Sequence, residues 1–150
     1  RKQQNDLNQH QHTMALERDR TTRDYLYGRL LAIADHLESS ALRTAGETRD
    51  SNAARFMQRF ADHPFSTWRT IELSLEPYKQ RLRVNSPGLL DRFTNELRDV
   101  MNLFTADQFE KDVKLSGEFL LAYHSQQAAL WEKQPKESVE ETNKTSLLES

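Results

Sequence analysis

Apolar positions recur along this chain at steps of three and four, with no strict alternation, so the pattern predicts helices throughout. In DYLYGRLLAIADHLESSAL, Leu26, Leu30, Ile33 and Leu37 step by 4, 3 and 4 and form one buried stripe, which Tyr27, Leu31 and Ala34 widen. Gly28 interrupts that helix at a cost of about 1 kcal/mol relative to alanine, which close approach of a neighbouring helix would explain. A second helix is expected from Asn52 to His63, with Ser51 as N-cap and Pro64 ending it. On it, Phe56, Met57 and Phe60 share one side, and Arg55 and Arg59 share another.

The third helix starts near Pro64, a favoured first-turn residue. Its apolar positions are Trp68, Ile71, Leu75, Tyr78 and Leu82, and Pro77 should kink or break it. Ser86 and Pro87 mark the start of a fourth, with Leu90, Phe93, Leu97, Val100 and Phe104 as its stripe. Thr105 and Gln108 fit a capping box for a short helix. Ser116 and Gly117 mark a break before GEFLLAYHSQQAALWEK, which should bury Phe119, Leu120, Tyr123 and Leu130. Short connections favour an all-α fold, an antiparallel helical bundle of about five helices. Residues 1–20 read as a disordered or linker segment, 21–132 as the bundle, and 133–150 as a disordered polar tail in which Pro135 blocks helix continuation.

Composition narrows the chemistry. The chain has 150 residues and no cysteine, which removes disulfides, thiolate nucleophiles and thiolate metal sites. The sequence offers no apolar run long enough to span a membrane, and a cytoplasmic protein is expected. A net charge of −2 argues against a general nucleic-acid binder, but it hides a split. Residues 1–90 hold 14 basic and 11 acidic side chains, a balance of +3, whereas residues 91–150 hold 7 and 12, a balance of −5. All 14 arginines precede Asp99, and arginine is the residue suited to bidentate contact with phosphate or carboxylate.

The search for catalytic groups yields little. Ala-Asp-His occurs twice, at Asp35-His36 and Asp62-His63, and a joint site would suit a small metal-dependent hydrolase. Adjacent helical residues point about 100° apart, so neither pair chelates alone, and both read as solvated helix ends. His10 and His12 stand two apart in the N-terminal segment and invite at most adventitious metal. His124 and Ser125 are neighbours, the wrong spacing for base and nucleophile on one helical face. Glu72 and Glu76 are ordinary surface carboxylates. With no phosphate-binding glycine loop and no metalloprotease or hydrolase motif, a non-enzyme with no cofactor and no metal is expected.

The arginines carry more. Arg43, Arg49, Arg55, Arg59, Arg69, Lys79, Arg81 and Arg83 face only five acids between Arg43 and Arg83, and are the candidate nucleic-acid-binding residues. Arg55 has Ser51, Asn52, Gln58 and Arg59 at its helical neighbour positions and so no acid to quench it, whereas Asp62 follows Arg59 by three. An unneutralised arginine pair suits a phosphate clamp; a solvated face, or ion pairs to a partner's acids, are the alternatives. Trp68 and Tyr78 are interspersed as in single-strand stacking platforms, but their helical step favours burial.

YLYGRLLAIADHLESSAL resembles the aromatic-Leu-x-Gly-Arg-Leu helix in the C-terminal domain of the large subunit of type I-C CRISPR Cascade. GEFLLAYHSQQAALW resembles that domain's last helix, and NAARFMQRFADHPFSTWRTIELSLEPYKQRL its middle section, so the likeness runs from Tyr25 to Trp131. In that family the domain is also made separately, by internal translation initiation, as the small subunit. The resemblance implies a non-catalytic helical module that helps hold the guide RNA–target DNA heteroduplex and the displaced strand, the R-loop. Its partners would be the large and backbone subunits, further copies of itself, and guide RNA and target DNA, without a membrane. The alternative is a structural protein–protein module with no DNA contact. Met14 is then a candidate internal start, and the chain a fragment or processed product. Arg29 matches the family's Gly-Arg step and suits packing or a phosphate equally. Ala122, Ser125 and Gln127 depart from the glycine, histidine and arginine that the family tends to carry, which takes the last helix out of the candidate interface.

Overall fold

The computed structural model describes residues 15–131. Expectations for residues 1–14 and 132–150, among them those for His10, His12 and Met14, lie outside the described residues.

The fold is all-α, with no strand among the described residues. Its helices are α1 (Arg23–Thr44), α2 (Asn52–Arg55), α3 (Met57–Asp62), α4 (Pro64–Ser74), α5 (Glu76–Asn85), α6 (Pro87–Leu103) and α7 (Ala106–Glu110), then α8 over 118–131. Five of these have seven or more residues.

α1 is the central element. The expected stripe is fully buried, but so are Tyr25, Ala32, Ala41 and Leu42, and the polar Arg29, His36, Glu38 and Ser40. Helices α2, α4, α5 and α6 all pack on α1, and α8 crosses it at Gly28. A β-carbon on Gly28 would overlap the carbonyl oxygen of Phe119 and come within 2.7 Å of the Ala122 β-carbon. The glycine therefore allows the crossing, as its cost in the sequence suggests. On the same helix, Tyr27 sits among Phe60, Phe104 and Phe109, with ring centroids 5.7, 4.9 and 5.8 Å away, and its hydroxyl donates to the Phe109 carbonyl.

Helix starts follow local chemistry. Ser51 Oγ accepts from the Ala54 N–H at 3.0 Å, and Thr105 Oγ1 from the Gln108 N–H at 3.3 Å. Pro64 and Pro87 open α4 and α6. Ser86 occupies the cap position of α6, but its side chain makes no capping bond, so there the proline alone sets the start. Pro77 breaks the third predicted helix into α4 and α5 at Leu75: it has no N–H to give, and its ring crowds the Leu73 carbonyl.

Three expectations need correction. The helix predicted over Asn52–His63 is two short helices, interrupted at Phe56 (φ −93°, ψ 9°). Phe56, at the break, and Met57 after it both pack against the core. Leu120 is 40% exposed, because α8 turns Phe119, Ala122, Gln126 and Leu130 inward instead. Asp35 and His36 are not a solvated helix end. Asp35 accepts from Tyr123 Oη and Gln127 Nε2, each at 2.6 Å, and from Ser51 Oγ. His36 is buried, its Nδ1 3.2 Å from Gln127 Oε1. This polar knot ties α8 and the cap of α2 to the middle of α1. Gln127, where the resemblance leads one to expect arginine, is thus a structural residue.

Candidate nucleic-acid interface

The fold divides the arginines by what holds them. Those at the start of α1 are engaged internally. Arg18 pairs with Glu96 at 2.7 Å; Arg20 pairs with Glu17 at 2.6 Å and also with Glu118. Arg23 pairs with Asp24 at 2.9 Å and donates to the carbonyls of Lys111, Val113 and Lys114, fastening an irregular segment to α1. Arg29 is 2% exposed, pairs with Glu96 at 3.1 Å and donates to Gln126 at 2.7 Å. Burial pulls its guanidinium below the ordinary arginine value, and Glu96 offsets this only in part. Burial likewise pushes Glu96 up, but Arg18 and Arg29 outweigh it and hold the carboxyl below the usual range. Of the two roles the sequence left open for Arg29, the structure gives it packing.

The eight candidate cations fall into three groups. Arg55, Arg59, Arg69 and Arg83 are exposed and have no carboxylate within ion-pair distance among the described residues. Lys79, half-buried on α5, is also without one. Arg55 donates to Asn52 Oδ1 on its own helix, and Arg69 lies over Phe65, 5.7 Å from the ring centroid. Asp62 does not quench Arg59; its carboxylate accepts instead from Gln58 at 3.4 Å. Because the chain breaks at Phe56, Arg55 and Arg59 stand on two successive short helices rather than one turn apart on one.

Arg49 and Arg81 form the second group. Both lie against the buried Tyr78, at 5.7 and 5.6 Å from its ring centroid, and both approach Glu47, at 4.0 and 3.7 Å. Arg49 also donates to the Tyr78 hydroxyl and pairs with Glu38 at 3.3 Å. Glu38 is fully buried and accepts the Asn52 N–H at 2.9 Å; burial still raises its carboxyl above the ordinary value. Tyr78 and Trp68 are core residues, so neither offers a stacking face. Arg43 stands apart from both groups, its guanidinium 4.7 Å from the ring centroid of Trp131.

Pairing also admits two arginines that the sequence reading left out. Arg92 and Arg98 on α6 have no carboxylate partner among the described residues. Glu96 follows Arg92 by four and looks from sequence like its partner, but Arg18 and Arg29 claim it. Among the described residues there is no group of three or more metal-binding side chains, and no helix long and apolar enough to cross a membrane. His63 is exposed, its Nδ1 3.8 Å from Asp112, unlike the buried His36 beside the half-buried Asp35.

Among known proteins, the model of a family described as CRISPR-associated protein (Cas_Csd1) matches residues 1–131. No curated protein matches the chain.

Proposed function

Since the chain belongs to the Cas_Csd1 family of CRISPR-associated proteins, we propose that it is a non-catalytic module of a type I-C surveillance complex, equivalent to the small subunit. In this reading it stabilises the guide–target heteroduplex and the displaced strand through arginine–phosphate contacts. Its partners are the large and backbone subunits, further copies of itself, and the two nucleic acids, in the cytoplasm. The observation that carries the reading is the set of exposed arginines on α2 to α5, Arg55, Arg59, Arg69 and Arg83, left without carboxylate partners among the described residues while Arg18, Arg20, Arg23 and Arg29 are paired. Guide pairing supplies sequence specificity, and R-loop formation is a near-balanced exchange that a few backbone contacts tip. Base reading is not required.

The test is Arg55→Ala with Arg59→Ala in the assembled complex. R-loop yield should fall alike at all matched targets, and the salt slope should drop by about 0.7–0.9 per lost phosphate contact. Unchanged yield and slope would refute the assignment.

A second reading, a protein–protein module without DNA contact, draws support from Leu73 and Val84. These apolar side chains on α4 and α5 are 78% and 82% exposed, and suit a subunit contact better than a phosphate backbone. Crosslinks from α4 and α5 to protein alone would favour it; crosslinks to the displaced strand would favour the first.

A further inference from the structure

The arginine pair at Tyr78 is already occupied by a carboxylate from the chain itself, and the way that carboxylate is held sets it apart from a casual surface ion pair. α1 ends with Gly46 at φ 74°, in the left-handed region that glycine tolerates. The Gly46 N–H reaches the Arg43 carbonyl at 3.0 Å, and the Glu47 N–H reaches back to the Leu42 carbonyl at 2.9 Å, the two bonds of a Schellman cap. The backbone of Glu47 is therefore pinned, while its side chain remains 44% exposed. That side chain puts Oε2 between Arg49 Nε, at 4.0 Å, and Arg81 Nη1, at 3.7 Å. Both distances exceed a hydrogen bond. Arg81 Nη1 is closed off from solvent and makes no hydrogen bond among the described residues. Two guanidinium groups fixed against one tyrosine ring thus share one carboxylate oxygen that hydrogen-bonds to neither; Arg49 is otherwise held by Glu38, the Tyr78 hydroxyl and the Asp50 carbonyl, whereas Arg81 Nη1 has no hydrogen-bond acceptor among the described residues.

We propose that Glu47 is an internal stand-in for a phosphodiester, and that the Arg49–Arg81 pair becomes a nucleic-acid contact when a backbone phosphate displaces it. A phosphate offers more acceptor oxygens than the single one now shared, and arginine binds such groups bidentately. Displacement needs only rotation of the Glu47 side chain, because the cap keeps its backbone in place. The inference rests on the reading that this module contacts nucleic acid. It adds that part of the contact surface is self-masked, at a cost that the bound strand must offset.

The experiment uses the full chain and a fluorescein-labelled single-stranded DNA, followed by anisotropy across a salt series. Glu47→Gln keeps size and shape and removes the charge. It should tighten binding about two- to fivefold, the range set by an exposed ion pair, and steepen the salt slope. Glu72→Gln, an exposed carboxylate on α4, controls for net charge and should give a smaller rise. In an Arg81→Ala background the Glu47→Gln gain should vanish. Equal gains from Glu47→Gln and Glu72→Gln, or a Glu47→Gln gain that survives Arg81→Ala, overturn the proposal. So does tighter binding of polyglutamate, with DNA binding unchanged, which would assign the pair to an acidic protein surface. Failure of the wider reading looks different: wild-type binding would be unaffected by Arg55→Ala with Arg59→Ala. Failure of this inference alone leaves that loss intact and Glu47→Gln silent.

Discussion

The start of α1 and the run from α2 to α5 use the same side chain for opposite ends. Arg18, Arg20, Arg23 and Arg29 all reach carboxylates, and together they bind α1 to α6, α8 and the segment that precedes α8. Arg55, Arg59, Arg69 and Arg83 reach none among the described residues. Arginine count is nearly the same in the two regions, so count says nothing about role. What separates them is whether the fold brings an acid within reach. A guanidinium paired internally has little left for a phosphate, whereas an exposed unpaired one contributes little to folding and can be kept for a ligand. Arg49 and Arg81 fall between the two: they share Glu47, and Arg49 also pairs with Glu38.

The sharpest way to break this contrast is to remove one member from each region. Arg29→Ala leaves Glu96 short of a partner in a largely buried site, and should cost about 3–5 kcal/mol of unfolding free energy. Arg29→Met, which fills the space, should cost much less than the alanine. Arg83→Ala should stay within about 0.5 kcal/mol of the parent chain. Urea unfolding of the three variants checks this, and similar losses for Arg29→Ala and Arg83→Ala would show that pairing does not divide the two regions.

A smaller loss should follow from Gly28→Ala, next to Arg29. The added methyl meets backbone at Phe119 and the Ala122 side chain, so α8 must shift. Overpacking of this kind costs about 1–3 kcal/mol, partly offset by the better helix propensity of alanine. Because α8 carries Gln126, whose Oε1 accepts from Arg29 at 2.7 Å, a displaced α8 should also loosen the paired region. Hydrogen exchange should quicken at Arg29 and Gln126 before it does at Arg69. Uniform change, or none, would detach the crossing from the arginine pairing.

Much of this was legible in the sequence, and what was not has a common cause. Apolar spacing places the helices because it is set by the 3.6-residue turn, and Ser51, Thr105, Pro64, Pro77 and Pro87 act within one turn of themselves. Gly28 announces a crossing because nothing else explains a glycine in a central helix. Long-range partners are another matter. Glu96 lies 67 positions from Arg29, and no local rule links them; the local rule gives it to Arg92. Asp35 looked like part of a surface pair because its partners Tyr123 and Gln127 come from the other end of the fold. The candidate site was therefore readable as a set of cations, but not as paired and unpaired ones.

The last expected effect is the smallest, and it concerns how the unpaired region is held without neutralising its arginines. Asp112 reaches the start of α4 from the segment after α7. It accepts from the N–H groups of Phe65 and Ser66 at 3.0 and 3.3 Å, and from Ser66 Oγ at 2.5 Å. It therefore caps the helix that carries Arg69, and directs its charge at a helix N-terminus rather than at a guanidinium. Burial pushes the Asp112 carboxyl up, but the bonds from Ser66 and Phe65 outweigh it and hold it below the ordinary aspartate value of 3.8. A depressed folded-state value means the unfolded chain takes up the proton first as pH falls. The stability Asp112 contributes is complete above about pH 4 and is lost as pH drops through its folded-state value. Asp112→Asn keeps an acceptor and removes the titration. Its melting temperature should lie slightly below the parent's at neutral pH, and the difference should close as pH falls below the ordinary aspartate range. Caps are worth about 0.5–2 kcal/mol, and partial exposure puts this one at the lower end. A difference that stays constant across that range would mean that the carboxylate caps α4 by shape alone, and that charge plays no part in anchoring the unpaired region.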